Sequence, residues 1–261
     1  MSDLILRDDS GGIAHLELNS PGNFNALSDQ MITALDAVLD SIAADPTIRV
    51  VVLSGAGKAF CAGHDLRQMQ AARDSADQGR AAFEALFARC AKVMQKIPTL
   101  PQPVIAQVHG IATAAGCQLA ASCDLVTAAE DARFGVNGIN IGLFCSTPMV
   151  ALTRVVPPKL AFEMLTTGGF ISAERAYEAG LVNRIFAPDD LAPGTRVLAE
   201  TLAAKLPAAL RIGKRAFYDQ QGLALTDAYQ QMGETICDNL MRADTAEGIA
   251  AFLDKREPDW P

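Results

Sequence analysis

Two short stretches pair small residues with the start of a helix, and each could turn unpaired backbone N–H groups toward a ligand. The first is Ala114-Ala115-Gly116, inside residues 103–126, PVIAQVHGIATAAGCQLAASCDLV. The apolar run Val104–Val108 behind Pro103 reads as a buried strand, and Gly110 permits a sharp turn before residues 119–122 continue a helix. A helix N-terminus carries unpaired donors and a partial positive charge. With almost no side chain there, a ligand oxygen can come close. The chemistry would be stabilisation of a developing oxyanion by the N–H of Ala115 or a neighbour. The alternative is a tightly packed helix in an alanine-rich core. The second stretch, AFCAGHDL at 59–66, again sets small residues and a glycine before a helix beginning near Asp65. Two such places, each following a strand of one sheet, are what an oxyanion hole requires.

Other chemistry is thinly supplied. The six cysteines, Cys61, Cys90, Cys117, Cys123, Cys145 and Cys237, form no CxxC pair, and only His15, His64 and His109 accompany them. No metal site is therefore expected, and reduced, mostly buried thiols are. The glycines near 55 lack the Gly-Lys-Ser/Thr ending of a phosphate loop. They also lack the third glycine of a dinucleotide fingerprint, which would stand at Phe60.

The elements that must position these residues alternate. Residues 4–6 and 13–18 read as a hairpin about Ser10-Gly11-Gly12, with His15 on its polar side. Ser28 caps a helix to about Ala43, and residues 50–53 form a fully apolar strand, so strand, helix, strand favours an α/β fold. Residues 70–80, QAARDSADQGR, lack periodicity and predict a mobile loop over the site. Helices are expected over 83–97, from Ser146 or Thr147, over 159–167 and over 172–179, with strands at 132–135 and 182–185. Beyond Asp189 the pattern is helical, interrupted near Pro207 and Gly222. The expected division is a sheet-containing core over 1–195 and a helical region over 196–261.

The chain has 261 residues, 50% of them hydrophobic, and a net charge of -8. That is a soluble globular composition, with no basic run for non-specific nucleic-acid binding. No apolar stretch reaches a transmembrane length, so no membrane association is expected. The acidic opening, with Asp3, Asp8 and Asp9, is neither a signal nor a transit peptide. A cytoplasmic location is expected, with a mitochondrial one only if a leader was removed.

Five pieces together resemble the crotonase superfamily, the enoyl-CoA hydratase/isomerase proteins, over nearly the whole chain. They are Asn25-Ala26-Leu27, AFCAGHDL at 59–66, the stretch from Pro101 to Asp124, RFGVNGINIGLF at 133–144 and EGIAAFLDKREPDW at 247–260. The resemblance implies the ClpP/crotonase-like spiral of repeated ββα units with a C-terminal helical trimerisation region. It implies an acyl-CoA or enoyl-CoA thioester substrate, coenzyme A as part of that substrate rather than a permanently bound cofactor, and a homotrimer or a dimer of trimers. By position it places the two oxyanion N–H groups at His64 and Ala115 and the Ala62 backbone beside adenine. Asp65, Leu66 and Arg67 would follow the CoA path, Arg67 meeting a phosphate, and Lys255 or Arg256 would reach the nucleotide end.

The same resemblance exposes two departures. The family's two acid–base glutamates correspond to Gln118 and Gly138 here. An amide orients water but takes no proton at neutral pH. Hydration by the family's usual route is thus expected to be weak. The alternatives are a non-catalytic acyl-CoA binding or regulatory protein and a thioester hydrolase using Cys145 or a bound water. The His64 ring is a further titratable candidate, while Asp65 and Asp124 read as caps, and Asn137 and Asn140 can only hydrogen-bond.

Overall fold

A computed structural model describes residues 3–260. Strands β1 (Ile5–Ser10) and β2 (Ile13–Leu18) pair antiparallel about the expected glycine turn. Helix α1 (Asp29–Ala43) follows, its first turn capped by Ser28, which accepts from the Met31 N–H at 3.1 Å. It turns Met31, Leu35, Leu39 and Ile42 inward at helical spacing. Strand β3 (Val50–Gly55) is buried along its whole length, as a strand covered on both faces must be.

Helices α2 (Leu66–Ala72) and α3 (Arg80–Thr99) flank the stretch expected as a loop and take only residues 70–72 and 80 of it. Residues 73–79 lie outside any helix, as turns. Their polar side chains also cap: Asp77 accepts from the N–H groups of Gly79 at 3.1 Å and Ala81 at 2.9 Å, fixing the start of α3.

The chain then repeats one path. Strand β4 (Val104–Val108) lies in the large sheet, β5 (Ile111–Thr113) in a second sheet, and α4 (Ala115–Ser122) returns. Strands β6 (Leu125–Ala129) and β7 (Arg133–Gly135) do the same, followed by α5 (Ser146–Val155) and α6 (Pro158–Thr167). After β8 (Phe170–Ser172), α7 (Ala173–Glu178) and β9 (Arg184–Phe186), the sheets are complete. The large one runs β1-β2-β3-β4-β6-β9, parallel except for its hairpin, and the small one β5-β7-β8. This is the crotonase spiral of ββα units expected from the motifs. Asp124 holds the β4–β6 pair from its end, its Oδ2 accepting from the Val104 N–H at 2.6 Å.

The main core fills one side of the large sheet around Leu16, Leu53, Ala106 and Phe134. On the other side, α8 (Leu191–Ala203) sets Leu198, Ala199 and Ala203 against Ile13, Val50, Val52 and Ile105. The first compact unit accordingly extends past residue 195 to Ala203, because α8 covers a sheet face. The second begins at Ala204. It holds α9 (Pro207–Asp219), α10 (Leu225–Leu240) and α11 (Ala243–Asp254), with Asn239 donating to Thr245 at 2.7 Å between the last two. Leu225, Tyr229, Ile236 and Leu240 are exposed along α10.

One buried side chain ties the segment ahead of the site to its surroundings. Asn25, fully buried, sits at φ 56°, accepts from the Ser20 N–H at 2.9 Å and donates to the carbonyls of Ala56 and Ala59 at 2.9 and 2.8 Å. Asn25→Ala leaves buried backbone groups unpaired at a left-handed position. It is expected to lower unfolding free energy by about 3 kcal/mol, read as a reduced denaturant midpoint at unchanged slope.

Candidate functional site

The site is made where the segment 59–64 meets the start of α4. Parallel contacts bind them: the Cys61 N–H donates to the Ile111 carbonyl at 3.2 Å and the Thr113 N–H to the Cys61 carbonyl at 3.0 Å. The first turn of α4 then presses on that segment. A side chain at Gly116 would collide with the Cys61 carbonyl and lie 2.9 Å from its Cβ. Gly63 adopts φ +91°, and a Cβ there would lie 2.9 Å from the Ala114 Cβ and 3.2 Å from the Ala115 nitrogen. The two turns therefore approach as closely as glycine allows. Among the described residues, neither the His64 N–H nor the Ala115 N–H has a recorded protein acceptor.

Ala114, between them, takes φ 49° and ψ -119°, a conformation L-residues rarely adopt. Its N–H donates to the Gly135 carbonyl at 2.9 Å, which holds the strained residue in place.

A cavity of about 490 Å³ opens here, lined by Ala62, His64, Leu66, Ala114, Ala115 and Gly138 among others. Met69, Phe87, Leu143, Phe144 and Pro148 make its walls apolar. Among the described residues, no Asp, Glu, Lys or Arg lines it. The two titratable groups on it are both driven toward neutrality. Burial pushes the His64 imidazole below its usual 6.5, against a hydrogen bond from its Nδ1 to the Leu27 carbonyl at 3.4 Å. Its Nε2 is buried without a partner, and the ring meets Phe87 edge-on at 5.3 Å. Burial pushes the Cys145 thiol up from 9.0, and the neighbouring Cys117 is raised to about 12. A thiolate at Cys145 is thus disfavoured near neutral pH.

Of the other sequence candidates in the first unit, Asn140 is on the lining, and Asp65, Arg67 and Gln118 are not among its residues. Asp65 caps α2, its Oδ1 accepting from the N–H groups of Arg67 at 2.9 Å and Gln68 at 3.3 Å. Arg67 is exposed on the first turn of α2. Gln118 follows Ala114 and Ala115 by one turn on the same face of α4, buried, with its Oε1 unpartnered. Lys255 ends α11 in the second unit at φ 53°, and Arg256 grips Glu247 through two hydrogen bonds of 2.6 and 3.0 Å. His15, expected at the surface, is half-buried with its Nε2 3.2 Å from the Ser54 hydroxyl.

Gly138 is confined. The loop folds back so that the Leu143 N–H donates to the Gly138 carbonyl at 3.0 Å. A Cβ at 138 would overlap the Leu143 carbonyl oxygen and lie 2.8 Å from the Cys145 Sγ. Asn137, expected only to hydrogen-bond, meets Thr113, which sequence reasoning passed over, on the lining, the Thr113 hydroxyl donating to the Asn137 Oδ1 at 2.7 Å. No periodicity marks such a pair; only the β5–β7 register, Thr113 opposite Gly135, brings it together.

Comparisons with known proteins bear on the family and the fold. The family model described as enoyl-CoA hydratase/isomerase matches residues 8–261. The mitochondrial enoyl-CoA hydratase domain-containing protein 3 of Xenopus laevis is 43% identical over 249 residues, 95% of this chain and 83% of that protein. The 2,3-dehydroadipyl-CoA hydratase of Escherichia coli is 35% identical over 261 residues, 100% of this chain and 99% of its own. The crystal structure of an enoyl-CoA hydratase from Mycobacterium smegmatis superposes with a TM-score of 0.94 at 51% identity, covering 98% of each chain.

Two substitutions test the crowding and the strain. Gly138→Ala is expected to destabilise by about 1–3 kcal/mol in denaturant unfolding, as overpacking does. Ala114→Gly relieves a positive φ and is expected to stabilise by about 1 kcal/mol, raising Tm by roughly 2–4 °C in a scan.

Proposed function

The chain belongs to the enoyl-CoA hydratase/isomerase family, and from that premise we propose that it polarises acyl-CoA thioesters between the N–H groups of His64 and Ala115. The observation that carries this reading is the approach of Gly63 to the Ala115 nitrogen at the edge of an apolar cavity. Both donors are backbone groups on packed turns, so they need no reorganisation when charge develops on the thioester oxygen. Such a donor is typically worth about 10²–10³-fold in rate. Ala62, Leu66 and Arg67 would border the coenzyme A portion, which enters as part of the substrate.

The acid–base half of the family's hydration chemistry has no counterpart on the lining. Positioned proton-transfer groups contribute roughly 10²–10⁴-fold. The cavity wall offers amides, hydroxyls, a neutral imidazole and a neutral thiol. The proposed protein therefore binds and polarises an enoyl thioester but hydrates it poorly. A second reading, acyl-CoA binding without turnover, is favoured by the confinement of Gly138, where a glutamate would require the loop to move. Thioester hydrolysis through Cys145 is disfavoured by its raised thiol pKa. For assembly, the exposed apolar residues spaced along α10 support the homotrimer or dimer of trimers.

The carbonyl grip is tested by calorimetric titration with butyryl-CoA and its thioether, S-butyl-CoA, which lacks only the carbonyl oxygen. Butyryl-CoA is expected to bind at least about tenfold tighter, since two hydrogen bonds are at stake; equal affinities would remove the basis of the proposal. With crotonyl-CoA, slow loss of the conjugated-thioester absorbance is expected, and rapid turnover would overturn the weak-hydration reading. Because His64 stays deprotonated above its lowered pKa and Cys145 protonated below its raised one, thioester affinity should be flat from about pH 7 to about pH 8.5.

A further inference from the structure

We propose that Asn137, oriented by Thr113, selects acyl groups that carry an oxygen on their hydrocarbon chain over plain hydrocarbon acyl groups of the same length. The inference rests on the thioester reading above and adds the residue that discriminates within it.

An asparagine side chain has an acceptor end and a donor end. The acceptor end of Asn137 is engaged by the Thr113 hydroxyl at 2.7 Å. Thr113 is itself fixed, buried, with its N–H on the Cys61 carbonyl at 3.0 Å and its register set opposite Gly135. Its single hydroxyl hydrogen is spent on Asn137, so Thr113 has none to give a ligand. What the pair offers is the Asn137 NH₂, for which no acceptor is recorded among the described residues, although the residue lines the cavity. A purely structural tie would need no amide with its donors left over.

The pair also stands where a reacting acyl group would lie. Thr113 precedes Ala114 and Ala115 directly, and Asn137 follows Gly135, whose carbonyl accepts from the Ala114 N–H. The amide donors thus share one end of the cavity with the Ala115 N–H, while Leu66, Met69, Phe87, Leu143 and Phe144 supply apolar wall. A plain hydrocarbon chain would displace water from those donors and return nothing. A hydroxyl or keto oxygen on the chain would pair with one. A net hydrogen bond of ordinary strength corresponds to about tenfold in affinity.

Calorimetric titration of the whole protein with butyryl-CoA, 3-hydroxybutyryl-CoA and acetoacetyl-CoA tests this. In the wild type at least one oxygenated thioester is expected to bind about tenfold tighter than butyryl-CoA. Asn137→Asp keeps the oxygen that Thr113 bonds and replaces the donors with an acceptor; the ratio is expected to fall to one or below. Thr113→Val, which frees the amide to rotate, should reduce the ratio partially. Equal affinities for all three ligands in the wild type, or a ratio that survives Asn137→Asp, would overturn the inference and leave the thioester reading intact. Failure to bind any of the three would instead sink the thioester reading. The wild-type ratio decides even if a variant does not fold.

Discussion

The contact on which the structure turns is backbone against backbone: residues 61–64 lying beside residues 111–115 with nothing between them. Every side chain that could hold them apart is missing or minimal, at Gly63, Ala114, Ala115 and Gly116. The hydrogen bonds of Cys61 with Ile111 and Thr113 set the register. Main-chain groups placed this way are harder to misalign than side chains, because moving them means moving a sheet. The fold is costly to build around such a junction, with one residue at a strained φ. On the proposed reading, that strain fixes a pair of donors.

How far this was legible in the amino-acid sequence depends on the range of the interaction. Helix α1, strand β3 and strand β4 follow from local periodicity and capping, and they stand close to where Ser28, Val50 and Val104 place them. The small sheet does not follow. Strands β5 and β8 have three residues each, too few to show alternation, and exist because β7 lies between them. The polar stretch before α3 is non-helical over residues 73–79, as its composition suggests; the capping by Ser75 and Asp77 that starts α3 is what composition does not show. At the site, the small-residue turns were visible in the sequence. The closure of Leu143 over Gly138 and the meeting of Thr113 with Asn137 were not, since both arise from chain segments brought together only by tertiary pairing.

The electrostatic character of the cavity is a consequence of the same packing. Burial outweighs the Leu27 hydrogen bond and the charge of Asp29 at His64, and the Gly138 hydrogen bond at Cys145, and pushes both groups toward their neutral forms. Charge in this region is pushed to the periphery, where Asp65 serves a helix end and Arg67 faces solvent. A thioester is a neutral electrophile that gains negative character only as it reacts. A neutral, apolar wall with a few oriented donors suits it better than a charged one, whose field would act equally on the resting ligand.

The folded-back loop at Gly138 couples residue identity to chain path. A carbonyl oxygen of the main chain occupies the space a side chain would need. Any residue larger than glycine there, charged or not, must first displace Leu143. Side chain and loop conformation at this position can therefore change only together.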